Sequence, residues 1–230
     1  VVMCCALAMC GANAVVSAQQ TSLAIGGARV EDVALWDGEF SRWNFGGSPL
    51  LEVGRTMGIY AEHNSVSLLR FNLQGVQADS ITGARLLVYK PRSFTQLQPV
   101  SIEVSEVSTR GRSWTQGAGF GEVVPTGATW DAIDGKQTWP GAPGASLIGM
   151  DQHIPALDAQ TARDDEGHWV AFNLPPALVA RWIANPESNT GLRLALAPGR
   201  EARWGDHVHL YSSEHFSGKG PRLELTGAGL

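Results

Sequence analysis

The chain has 230 residues, 43% hydrophobic and 17% charged, with a formal net charge of -5 at neutral pH. That length suits one large all-β domain or two small ones, with a core that needs no metal or disulfide to fold. Mild acidity without a basic stripe argues against a phosphate backbone, and so against nucleic acid, as the partner.

The opening run, VVMCCALAMCGANAVVSAQQ, is apolar, uncharged and holds all three cysteines, Cys4, Cys5 and Cys10. It closes on Val16-Ser17-Ala18, small residues spaced as at a signal peptidase site before Gln19. It is too short for a comfortable membrane span. The reading is a signal peptide over 1–18 and a single domain over 19–230, secreted to the extracellular space or periplasm, with no membrane span after signal removal. A buried N-terminal strand is one alternative. A lipoprotein signal ending at Cys10 is another, weakened by bulky Met9.

Ala28–Leu35 alternates weakly and suggests a first strand, followed by the aromatic, Gly-rich stretch Trp36–Gly54 with a short strand at Leu50–Val53. Ser65–Tyr89 holds two alternating runs around polar Gln74–Ser80, read as a strand pair with one oily face. Leu69, Phe71 and Leu73 share a face in the first run, and Ala84, Leu86 and Val88 in the second. Pro99–Ser108 is another strand. Thr109–Asp151 has Gly and Pro throughout, three tryptophans and no period, which marks a functional or self-packed segment. Gln152–Gly167 is polar, and His168–Leu174 returns to strand. Pro175–Ala184 predicts the one helix, with proline in its first turn and an apolar stripe of Leu178, Val179, Trp182 and Ile183. Thr190–Ala197, His207–Ser212 and Pro221–Thr226 supply the last strands. About nine short strands, Gly/Pro turns and one helix predict an all-β antiparallel sandwich of jelly-roll type.

Several residues line up as motifs: Asn44-Phe45-Gly46 with Leu51–Gly54, Ser67–Phe71, Ala84–Val88, and Trp114, Thr129-Trp130, Trp139 and Asp151. Trp182, Asn185-Pro186, Asn189, Gly191, Ser212–Glu214 and Pro221–Leu223 continue the series. In this order and spacing, from Val30 to Thr226, the chain resembles the DNRLRE-type domains, secreted bacterial β-sandwich modules. It departs where the family tends to have Trp-x-Glu, with Trp114-Thr115-Gln116 here, and where it tends to have Ser-Arg-Glu, with Ser212-Ser213-Glu214 here. The resemblance implies a module attached to polysaccharide-degrading enzymes or surface proteins, some members of the family being carbohydrate-binding, for alginate among other glycans.

Catalytic patterns are sparse. There is no Gly-x-Ser-x-Gly, and no spacing singles out a carboxylate pair for glycoside cleavage. His207-x-His209 puts two imidazoles on one strand face, a metal pattern that Asp206, Glu214 or His215 would complete. The bland reading is a solvated strand face opposite Val208 and Leu210. The acidic run Asp164-Asp165-Glu166 with Asp158 offers loop oxygens to a structural Ca²⁺, without an ordered spacing, and folding requires no cofactor.

Eight tryptophans exceed the usual share of such a chain. Trp36, Trp43 and Trp204 lie outside the shared motifs and beside Asp37, Arg42 and Arg203. An aromatic face next to a hydrogen-bonding or charged group is what a sugar ring needs. The expected site is Trp36, Trp43, Arg42, Arg203 and Trp204, taking a polysaccharide or cell-surface glycan, an anionic one such as alginate included. The expected function is a secreted, non-catalytic, carbohydrate-binding module. The alternative is a structural or adhesive component of a cell surface or extracellular assembly. A third reading is a metal-dependent enzyme using His207 and His209.

Overall fold

The structure, a computed structural model, describes residues 20–57, 62–77, 80–92, 99–146, 156–163, 166–198, 206–228 and 230. Its strands are β1 (Thr21–Gly26), β2 (Val30–Trp36), β3 (Leu50–Met57), β4 (Glu62–Phe71), β5 (Ser80–Lys90), β6 (Val100–Glu106), β7 (Asp158–Ala162), β8 (His168–Leu174), β9 (Leu192–Leu196), β10 (His207–Tyr211) and β11 (Arg222–Ala228). One α-helix, α1 (Pro176–Ala184), joins β8 toward β9. All pairings are antiparallel. The smaller sheet runs β1-β11-β5-β8. The larger runs β10-β3-β4-β9-β6-β7, with β2 also paired to β4. The expected all-β sandwich with one short helix is the observed architecture.

The inner faces of both sheets share one core. Leu86, Val88, Phe172 and Leu223 enter it from the smaller sheet, and Leu69, Phe71, Ile102 and Leu194 from the larger. The two runs of Ser65–Tyr89 are therefore not a hydrogen-bonded pair: β4 and β5 lie in different sheets and meet through the core. Helix α1 packs on β5, and its Leu178, Val179 and Trp182 join this core as the stripe predicts.

β4 is buried on both faces, because the larger sheet carries a second core on its outside. There Val33, Leu35, Val66 and Leu68 meet Trp114, Ile133 and Trp139. The aperiodic segment 109–146 is the cover that this outer face requires. Its indoles are tied to backbone, Trp114 Nε1 donating to Thr190 O at 2.8 Å and Trp139 Nε1 to Thr129 O at 3.0 Å. Trp130 lies over Gly144, where a Cβ would come within 2.8 Å of the ring in a backbone at φ 70°. Only glycine fits under that ring.

Asn44, fully buried, fastens this cover. Its Nδ2 donates to Gln116 O and to Ala128 O, each at 2.8 Å. Its Oδ1 accepts from Gly46 N at 3.2 Å and Gly119 N at 2.8 Å. The backbone is so close that a Cβ on Gly46 would lie 2.1 Å from Gln116 O.

Two strands escape the sequence reading. β1 ends the smaller sheet against β11, and β7 takes the polar stretch before His168 to the larger sheet's edge. β3 and β4 also run on to Met57 and from Glu62, where a polar connector was expected at Arg55–Asn64.

Candidate functional site

Trp36 ends β2, and the chain turns through Asp37–Trp43 so that several rings gather. Trp36 stacks on Phe45 at 4.1 Å between centroids and on His63 at 4.2 Å. Phe40 meets Trp36 edge-on at 5.5 Å, and Trp43 meets Phe40 at 5.0 Å. The two described tryptophans of the expected site are thus brought together through Phe40. Both are half-buried, with Arg42 exposed beside them. Phe45 and His63 cover both faces of Trp36, so the outward contacts here are those of Trp43, Phe40 and Arg42. Arg203 and Trp204 lie outside the described residues.

Behind this cluster stands a buried carboxylate. Glu52 on β3, 4% exposed, has His63 Nε2 3.2 Å from Oε1 and His209 Nε2 3.4 Å from Oε2. Thr56 Oγ1 donates to it at 2.5 Å and Ser65 Oγ at 3.3 Å. Burial by itself raises a carboxyl, but the contacts with His209, His63 and Thr56 outweigh it and hold Glu52 well below its ordinary 4.5. His209 faces this carboxylate, and its ring lies 5.3 Å from that of His207. His207 is 6% exposed, so the strand face bearing it is not the solvated one expected. Burial pushes its imidazole below the ordinary value. Among the described residues, no group of three or more His, Cys, Asp or Glu side chains is arranged to hold a metal ion. Asp158 spends its carboxylate on Ala159 N and Asn173 N, each at 2.7 Å, and Asp164 and Asp165 lie outside the described residues.

Sequence reasoning missed a second aromatic surface. Tyr211, two residues beyond His209 on β10, stacks on His215 at 3.4 Å, and His215 on Phe216 at 4.6 Å. Tyr211 also lies 5.2 Å from Tyr89, which meets its cross-strand partner Trp169 at 5.3 Å. Phe216 is 94% exposed. Lys219 Nζ sits 4.3 Å over Tyr89, and Arg222 Cζ 4.8 Å over Trp169. The available signal was alternation: Leu87 and Tyr89 face away from the core that Leu86 and Val88 enter, and so does Trp169 opposite.

A buried anchor holds the loop that presents His215 and Phe216. Asp32, 1% exposed on β2, accepts Ser213 N at 2.7 Å through Oδ2, while its Oδ1 has no hydrogen-bond partner. Burial pushes this carboxyl well above its ordinary 3.8, and the neighbouring Glu214 charge adds to the push. Glu214 is itself held by Gln116 Nε2 at 2.6 Å. The two buried carboxyls therefore act oppositely on stability. Asp32 keeps a proton when folded that the unfolded chain releases, so its contribution is lost as pH rises above about 3.8. Glu52 is charged when folded where the unfolded chain is not, so its contribution is lost as pH falls below about 4.5. Melting temperatures measured from about pH 3 to about pH 8 should peak at about pH 4, between the two unfolded-state values, and fall on either side. Asp32→Asn should flatten the alkaline limb and keep the acid one; an unchanged alkaline limb would mean that Asp32 is ionised in the fold.

Compared with protein-family models the chain matches none, and no curated protein is similar to it at a significant level. No helix among the described residues is long and apolar enough to cross a membrane. What the fold and these surfaces define is an all-β sandwich that carries half-exposed aromatic clusters beside cationic side chains.

Proposed function

We propose that the protein is a secreted, non-catalytic module that binds polysaccharide, an acidic glycan such as alginate among its ligands. The observation that carries this reading is the contact chain Trp36–Phe40–Trp43 with exposed Arg42 alongside. An aromatic face takes the C–H face of a sugar, and a guanidinium forks onto hydroxyls or a carboxylate. The apolar opening run supports export, and the resemblance to DNRLRE-type modules points the same way.

The test is affinity electrophoresis in gels cast with acidic or neutral polysaccharide. Trp43→Ala and Arg42→Ala should each weaken retention about tenfold, a difference of roughly 1.4 kcal/mol, with melting temperatures little changed. Wild-type mobility that no polysaccharide retards would remove the reading. The structural or adhesive alternative draws on Phe120 and Val123, 64% and 60% exposed on the cover segment. Self-association lost on replacing both with serine would favour it.

A further inference from the structure

We propose that Trp169, Tyr89, Tyr211, His215 and Phe216, with Lys219 and Arg222, form a second binding surface that takes a run of an acidic polysaccharide. The proposal rests on the polysaccharide-binding reading and adds to it a surface on other elements: β5, β8, β10, β11 and the loop between the last two.

Three observations carry it. The first is continuity, since neighbouring ring centroids along the strip are 3.4 to 5.3 Å apart, from Trp169 through to Phe216. At its end Phe216 is 94% exposed and is covered on one face by His215. A phenyl ring held in water serves no core. Its open face suits the apolar face of a sugar.

The second is rigidity. Ser212 donates from Oγ to Ser48 O at 2.6 Å and from N to Pro49 O at 3.1 Å. Ser213 N is held by Asp32, Glu214 by Gln116, and His215 Nδ1 lies 2.8 Å from Ser217 Oγ. The loop is fastened to β2, to the start of β3 and to the cover segment before any ligand arrives. Preorganised rings lose little freedom on binding.

The third is charge. Lys219 and Arg222 lie over Tyr89 and Trp169, and no carboxylate among the described residues pairs with either. Arg222 Nη2 donates to Gly218 O at 2.9 Å, which fixes the guanidinium above the indole. In a chain of net charge -5, two cations held on rings and paired with no carboxylate among the described residues form a local anion site. A sugar would lie on the open face of Phe216, and carboxylate or sulfate groups of the same run would reach Lys219 and Arg222.

The experiment compares wild type, Phe216→Ala, the double variant Lys219→Gln with Arg222→Gln, and Trp43→Ala. Retention is measured on alginate and polygalacturonate as acidic probes and on xylan as a neutral one, at low and high salt. Melting temperatures confirm that each variant is folded, Phe216 and Lys219 being exposed and Trp43 and Arg222 half-buried. The double variant should lose about tenfold in affinity for the acidic probes and most of its salt dependence, while its binding to xylan stays unchanged. Phe216→Ala should weaken the acidic probes at both salt levels. If the double variant and Phe216→Ala bind the acidic probes as wild type does while Trp43→Ala loses binding, the second surface is refuted and the module reading stands. If wild type binds none of the three, the reading falls and the surface with it.

Discussion

Asn44→Ala should destabilise the protein by about 4 kcal/mol or more, because each buried partner left without its hydrogen bond costs on the order of 1–3 kcal/mol. Four backbone groups depend on this one side chain: the carbonyls of Gln116 and Ala128, and the amides of Gly46 and Gly119. The side chain is fully buried, so water cannot replace it. Asn44→Asp should do no better. It keeps acceptors for the two amides but turns a carboxylate oxygen toward two carbonyls that need a donor. The position also sits between Trp43 and Phe45, so loosening it should release the Phe45 face from Trp36 and weaken polysaccharide retention. Urea unfolding of the two variants settles the point. A loss below about 1 kcal/mol would mean that the cover segment is held by its tryptophans alone.

Local pattern made the strands legible where one face is buried and the other wet. Leu86 and Val88 against Arg85, Leu87 and Tyr89 is such a case, and β5 falls where alternation puts it. The helix was equally plain, from the proline at its start and the spacing of Leu178, Val179 and Trp182. β7 was not, since DAQTA buries only Ala162 along a polar edge strand and so carries almost no hydrophobic signal. Segment 109–146 has no period because it is neither helix nor sheet. It follows the outer face of the larger sheet, held by Asn44, tight glycines and indole–backbone bonds. No local window contains the information for that path.

The candidate sites divide in the same way. Trp36 and Trp43 lie seven residues apart in one loop, so their meeting through Phe40 is a local event. Asp32 and Ser213 are 181 residues apart, and Glu52 meets His63 and His209 only because β3 pairs with both β4 and β10. Such partnerships come from register. The strip from Trp169 to Phe216 depends on register twice, once for Tyr89 opposite Trp169 and once for the approach of Tyr211 to Tyr89 across two sheets.

Trp182→Ala should cost about 3–5 kcal/mol, the range for removing a large aromatic from a packed core. Trp182 is 1% exposed and lies in the main core with Leu178 and Val179. A helix of nine residues has little stability of its own and persists here because this stripe is buried. Its indole Nε1 donates to Glu106 Oε1 at 3.3 Å, and Arg181 pairs with the same carboxylate. Alanine removes both the ring and that donor, but leaves Arg181 to hold Glu106, so the packing loss dominates. Trp182→Phe separates the two contributions. It keeps most of the ring and loses the hydrogen bond, and should cost roughly 1–2 kcal/mol. Equal losses from the two variants would place the stability in the Glu106 contact rather than in the core, and a loss below about 1 kcal/mol for alanine would mean that α1 does not seal the sandwich.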